Sequence, residues 1–186
     1  MSILEQQLGG WQQQPSVGHV ARLKLVSIDD VLSVTTPDEL PVAGRPLTVA
    51  SLGLSVVDGA VMTELVFPPR TCTFTESTSR QAGQVLYTIA LSTSLVAPDE
   101  TLLTWLNEHL ERRFLAIWLG HNGKVYQAGE IGNGLWMITG RGLTEQDSLS
   151  LTLQGLATHP VWYRDSYTET LPPDAEFDLS FDLSFS

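Results

Sequence analysis

A chain of 186 residues with ten Lys plus Arg against twenty-one Asp plus Glu carries a formal charge of -11, which argues against gripping phosphate backbones electrostatically. It is long enough to bury a substantial core as one domain without staples. Its lone Cys72 excludes an internal disulfide and a thiolate metal cage.

An acidic surface of this kind is still suited to letting DNA pass without adhering. Residues 1–7 lack the basic region and apolar stretch of a signal peptide, and no apolar run approaches the length of a membrane span. The expectation is a protein made in the cytoplasm, with no membrane partner.

Residues 1–16 include Gly9, Gly10, Trp11, Gln12, Gln13, Gln14 and Pro15, and read as a flexible arm that orders against a neighbour, with Trp11 as its contact. A globular domain is expected over residues 17–165. Residues 17–26 alternate Val20, Leu23 and Leu25 with Arg22 and Lys24, a strand pattern. Asp29 and Asp30 follow. Two adjacent carboxylates can serve a cation or acid–base chemistry, but no third acidic or histidine ligand accompanies them, and a solvated turn is the reading. Pro37, Pro41, Gly44 and Pro46 make residues 36–46 a loop or an edge segment. Residues 47–57 are strand-like, and Asp58-Gly59 signals a hairpin into residues 61–67, which Pro68-Pro69 stops. After a polar alternation over 70–78, residues 84–96 place Tyr87, Ile89 and Leu91 on one face in the longest clean alternation of the first half.

Pro98-Asp99-Glu100 opens a helix, with proline where a missing N–H does no harm and carboxylates at the positive end of the dipole. Leu102, Leu103, Leu106, Leu110 and Phe114 recur at spacings of three and four, predicting one amphipathic helix over residues 98–114. Residues 114–119 are continuously apolar. Asn122-Gly123 behind them is suited to a type I′ turn, with residues 124–128 returning. The glycines of residues 129–134 do not make a phosphate cradle: the spacing is not Gly-x-Gly-x-x-Gly, no Lys-Ser/Thr follows, and residues 135–139 read as strand. Residues 148–156 alternate again, and Trp162 and Tyr163 close the domain in an aromatic patch.

Residues 166–186 differ in kind. Phe177, Leu179, Phe181, Leu183 and Phe185 alternate with Asp178, Ser180, Asp182 and Ser184, which fits a strand with one apolar and one acidic face that pairs with a sheet edge, in this chain or another. With Trp11 these apolar residues form the candidate assembly interface.

His19, His109, His121 and His159 lack metal-ligand spacing, and no Gly-x-Ser-x-Gly is present. Cys72 sits in a strand-like alternation, where an apolar role is commoner than nucleophilic work. Trp105, Trp118, Trp136 and Trp162 lie in or beside apolar runs, which favours packing over a sugar platform. No catalytic residue, cofactor or metal is therefore expected. The fold class expected is mainly β, a largely antiparallel barrel or sandwich with one principal α-helix packed on the sheet.

The order of these elements resembles a family. The residues carrying the likeness are the alternation at 87–91, the helix at 102–114, the Asn122-Gly123 hairpin through Gly129, and the strand from Ser148 to Gly155 leading to His159-Pro160. The second half of the chain looks like the tail-tube-like structural proteins of tailed bacteriophages and related contractile injection systems. The resemblance implies a non-enzymatic structural protein of a virion or prophage particle, of tail-tube or neck/tail-completion type. Its partners would be further copies of itself in a ring and other particle proteins, with DNA passing through an acidic lumen and no sequence-specific nucleic-acid binding. Two rivals are a carbohydrate- or protein-binding β-sandwich and a small enzyme with an unrecognised site.

Overall fold

The structure, a computed structural model, describes residues 19–143 and 147–167. The expected arm over residues 1–16 and almost all of the expected extension over 166–186 lie outside the described residues. The strands in chain order are β1 (Val20–Ser27), β2 (Val31–Val34), β3 (Pro41–Val42), β4 (Arg45–Val49), β5 (Leu54–Val56), β6 (Thr63–Val66), β7 (Cys72–Gln81) and β8 (Gln84–Val96). The helix α1 (Glu100–His109) follows, and then β9 (Arg113–Gly120), β10 (Val125–Ala128), β11 (Leu135–Leu143), β12 (Asp147–Ala157) and β13 (Trp162–Arg164).

Eleven strands form one sheet, ordered β3-β4-β13-β10-β9-β11-β12-β8-β7, with β1 pairing β9 and β6 pairing β1; β2 and β5 form a separate ribbon. Every pairing is antiparallel except β13 with β4, where Tyr163 lies beside Thr48 and Arg164 beside Val49. The chain is thus mainly β with one helix among the described residues, as the patterning predicts. No ladder closes the sheet into a barrel. A single bridge between His19 and Thr73 brings the far edge strand β7 to the residue before β1.

The strand β9 explains the architecture. Phe114, Ala116 and Trp118 face one buried cluster, which holds Leu23, Leu91, Leu135 and Leu153, whereas Leu115 and Ile117 face a second with Val26, Val31 and Leu54. A strand covered on both faces needs apolar side chains at every position, which is why residues 114–119 do not alternate. Its edges are used as fully. β1 runs along one from Val20 to Ser27, while the other is shared by β10, opposite Leu119 to Ala116, and β11, opposite Phe114 and Arg113. The chain passes between these two partners at Gly129, with φ +100°, where a Cβ would lie 2.7 Å from the Phe114 carbonyl oxygen. Only glycine fits there.

The helix starts as expected: the Asp99 carboxylate accepts a hydrogen bond from the Leu102 N–H at 2.9 Å, a capping contact on the first turn. It is shorter than predicted. It ends at His109, and Phe114 belongs to β9, because the continuous apolar run is claimed by strand pairing. Leu106 is fully buried, and Leu102, Leu103, Trp105 and Leu110 pack beside it as half-buried side chains.

Three local expectations are corrected. Asp58-Gly59 does turn, with Gly59 at φ +78° and the Ala60 N–H bonded to the Val57 carbonyl at 3.1 Å, but it joins no hairpin: β5 pairs β2 and β6 pairs β1. The Asn122-Gly123 hairpin between β9 and β10 exists, yet only Gly123 has positive φ, so the turn is not type I′. The Asn122 side-chain oxygen instead accepts from the Lys124 N–H at 3.0 Å, an Asx-type closure. The run 47–57 is broken by a 3-10 turn at Ser51–Gly53 into β4 and β5, which enter different sheets.

Burial separates two helix positions that the sequence stripe treats alike. Leu106→Ala is expected to destabilise by about 2–5 kcal/mol through the cavity it leaves, and the half-buried Leu110→Ala by less. Urea unfolding of both variants checks this; equal and negligible losses would mean that α1 does not rest on the core.

Candidate assembly surfaces

The residues expected to form the assembly interface, Trp11, Phe177, Leu179, Phe181, Leu183 and Phe185, lie outside the described residues. The residues weighed for chemistry are all placed; most lie far apart, but Asp30 and His109 line one cavity of about 400 Å³ with Asp58, Trp105 and Arg112. The His109 ring stacks on Trp105 at 4.5 Å between centroids, with Nδ1 2.7 Å from the Trp105 carbonyl. His121 is exposed beside the β9–β10 turn. His19 lines a cavity of about 230 Å³ with Phe74, Trp118 and Tyr126, which contains no carboxylate.

His159 alone meets an acid. It contacts Glu130 through Nε2, lies 2.8 Å from the Pro160 carbonyl through Nδ1, and stacks on Trp162 with centroids 4.1 Å apart. The neighbouring Val161 N–H donates to the Glu76 carboxylate at 2.7 Å. Together these contacts fasten the β12–β13 turn to the loop after β10 and to β7. Among the described residues, no group of three or more His, Cys, Asp or Glu is placed to hold a metal ion, and no helix is long and apolar enough to cross a membrane.

Cys72 is buried on the inner face of β7, and burial pushes its thiol up to about 12. A thiolate is the nucleophile, so this cysteine is inert in the folded chain. The described tryptophans do not form an exposed row: Trp118 is 1 % exposed and Trp162 6 %, while among them only Trp136 is open, at 45 %. The Arg113 guanidinium lies over the Trp136 ring, 4.3 Å from its centroid.

Exposure concentrates elsewhere. β7 and β8 form a long hairpin whose register runs from Cys72 opposite Thr93 to Gln81 opposite Gln84, and Ala82 and Gly83 at its tip both take positive φ. β12 covers β8 only from Val96 to Tyr87, so the tip extends beyond the sheet. Among the described residues no strand pairs with the other edge of β7, which approaches β1 through the bridge from Thr73 to His19. From Thr75 onward no strand among the described residues takes up the backbone donors and acceptors of that edge.

On the outer face of this half of the sheet two cross-strand rows are built from uncharged residues, with the Arg113 guanidinium over Trp136 at one end. The cross-strand row Thr73, Ser92, Thr152, Ile138 and the next row Thr75, Ala90, Gln154, Trp136 carry no charge, and the Ser92 and Thr152 hydroxyls lie 3.2 Å apart. For a chain of charge -11, two uncharged rows across four strands are a local exception.

The opposite end of the sheet carries a cleft of about 540 Å³ between β4, the β9–β10 turn and β13, lined by Arg45, Leu47, Lys124, Tyr163 and Arg164. Arg164 is buried and held by the Gln127 side-chain oxygen at 2.5 Å and the Ser51 carbonyl at 3.0 Å. Sequence reading missed this site, since its residues are some 80 and 40 positions apart and meet only through the parallel pairing of β13 with β4.

Comparison with protein-family models, with curated proteins and with solved structures finds no match to this chain.

Two measurements follow from the electrostatics. The Cys72 thiol is expected to ignore a soluble disulfide reagent at neutral to mildly alkaline pH and to react at once in denaturant; rapid native labelling would contradict its burial. At Glu64 burial works to raise the carboxyl, but hydrogen bonds from Tyr167 and Arg22 and the charges of Arg22 and Lys24 prevail and hold it below its ordinary value. A carboxyl whose folded value is depressed adds stability above its unfolded value and loses it as pH falls through the folded one. Glu64→Gln is therefore expected to lower stability near neutrality and to have no effect once both forms are protonated. Parallel unfolding curves with a constant gap at all pH values would refute it.

Proposed function

We propose that this chain is a non-enzymatic structural protein of a phage or prophage particle, of tail-tube or neck/tail-completion type, and that it assembles into rings. The observation that carries the reading is the uncovered edge of the ten-residue β7 on a hairpin that outreaches its sheet. A strand of a neighbouring copy added there continues the ladder by backbone hydrogen bonds. Each copy offers this edge, and a closed ring of head-to-tail contacts satisfies it in every copy at once, which an isolated copy does not. The neutral rows beside the edge allow close approach between copies that otherwise repel. The remaining negative charge suits a lumen through which DNA passes. Copies are made in the cytoplasm and reside in the particle once assembled.

The carbohydrate-binding alternative requires tryptophans exposed in a row, and Trp136 is the only one of Trp105, Trp118, Trp136 and Trp162 that is open. An enzyme site at a histidine requires carboxylates in a deep cavity. The cavity at His19 has none, and the His159 and Glu130 pair is engaged in joining loops; the cavity at His109 does hold Asp30 and Asp58, but the His109 ring is stacked on Trp105 with Nδ1 on the Trp105 carbonyl.

Light scattering and negative-stain microscopy of the full chain at high concentration test the proposal. Annular particles or a discrete multimeric mass are expected, and removal of the residues after Pro173 is expected to lower that mass while the circular dichroism spectrum stays β-type. A full chain that remains monomeric at every concentration would contradict the ring.

A further inference from the structure

We propose that the trough across β1, between the β5–β6 loop and the C-terminal end of α1, binds a small apolar zwitterion of the α-amino-acid type. The site is separate from the assembly reading above and stands without it.

Sheet order creates the trough. β6 pairs with one edge of β1 and β9 with the other, with Leu25 opposite Thr63 on one side and Ser27 opposite Phe114 on the other. Leu25 and Ser27 are two residues apart on one strand and face the same way, which makes them the floor. The loop of residues 57–61 lines the β6 side, while Trp105, His109 and Arg112 line the β9 side, carried by α1 and the link into that strand. The volume enclosed is about 400 Å³, within the range of about 300–1,000 Å³ usual for small-molecule sites.

Charges of both signs line this space without meeting. The Val57 N–H donates to the Asp30 carbonyl at 2.8 Å, which ties Asp30 to the segment that carries Asp58. Arg112 stands on the other side, with its N–H on the His109 carbonyl at 3.1 Å. None of these three side chains forms an ion pair among the described residues. A ligand carrying both an ammonium and a carboxylate gives each of them a counter-charge. A plain cation leaves Arg112 unanswered, and a plain anion leaves the two carboxylates.

Two neutral groups call for a ligand independently of charge. Ser27 is 5 % exposed, and its Oγ has no hydrogen-bond partner. A buried hydroxyl left unpaired is an exception in folded chains, and a molecule seated on the floor supplies the missing bond. His109 Nδ1 faces the Trp105 carbonyl at 2.7 Å; a carbonyl only accepts, so Nδ1 carries the hydrogen and Nε2 is the ring atom left for a ligand. Stacking on Trp105, with ring planes 16° apart, holds the imidazole in place. Leu25 and Phe114 in the floor and the half-buried Trp105 beside them set the rest of the ligand, a hydrocarbon side chain that is removed from water on binding.

The test uses the full chain and three probes of one shape: L-phenylalanine, phenethylamine, which lacks the carboxylate, and phenylpropionate, which lacks the ammonium. Titration calorimetry is expected to show saturable binding of L-phenylalanine, with each of the other two at least ~tenfold weaker. Arg112→Gln is expected to bring L-phenylalanine down to the level of phenethylamine, and Asp30→Asn with Asp58→Asn to bring it down to that of phenylpropionate. Ser27→Ala is expected to weaken binding while the thermal midpoint stays the same or rises, since the free chain gives this hydroxyl no partner. Circular dichroism establishes that the variants are folded. Phenethylamine bound as tightly as L-phenylalanine would overturn the zwitterion, and affinity unchanged in every variant would overturn the trough as its place. No binding of any probe at about 10 mM would overturn the site altogether. Each of these failures leaves the ring reading standing.

Discussion

The two-sided burial of β9 is the constraint on which the rest of the structure depends. Phe114, Ala116 and Trp118 belong to one core, Leu115 and Ile117 to the other, and all five are at most 2 % exposed. At about 25 cal/mol per Å² of apolar surface, each large side chain here contributes on the order of 1.5–3 kcal/mol, so no other strand of eight residues concentrates as much hydrophobic driving force. Because both faces are filled, β9 has only its two edges left for hydrogen bonding, and β1, β10 and β11 occupy them. The fold then spreads outward. β12, β8 and β7 extend the β11 side, while β13 and β4 extend the β10 side.

The outward spread accounts for the difference between the two ends. Toward β7 the sheet loses its core: Cys72 is buried, Phe74 half-buried, and Glu76 to Gln81 exposed. A hairpin with no core beneath it is held by its own ladder and by the Glu76 contact to Val161. At the other end, the parallel entry of β13 beside β4 and the buried Arg164 build a rigid positive wall. Among the described residues one end of the sheet therefore leaves the β7 edge without a partner strand, and the other carries the cleft at Arg45, Lys124 and Arg164.

Patterning was a good guide wherever one face or one local contact decides the outcome. The alternation of residues 84–96 coincides with β8, and the Asp99 start of α1 and the β9–β10 hairpin follow from local chemistry. The continuous run of 114–119 was recognised as apolar, but its competition with the helix stripe for Phe114 was settled by long-range pairing. Asp58-Gly59 misled for a related reason: a turn dipeptide specifies a reversal of the chain, not which strands then pair. The hairpin tip at Ala82-Gly83 went unread, since alanine is a poor signal for positive φ even though this turn adopts it. The cleft was invisible because Arg45, Lys124 and Arg164 share no spacing. Only the register of β13 with β4 and β10 brings them together.

The claim that the exposed β7 edge is where copies join is tested most directly by hydrogen exchange of its backbone amides as a function of concentration. Amides of residues 75–81 that face outward are expected to exchange quickly in dilute solution and to gain protection under assembling conditions, while those of β9 stay protected throughout. Assembly with no change in exchange along β7 would contradict it.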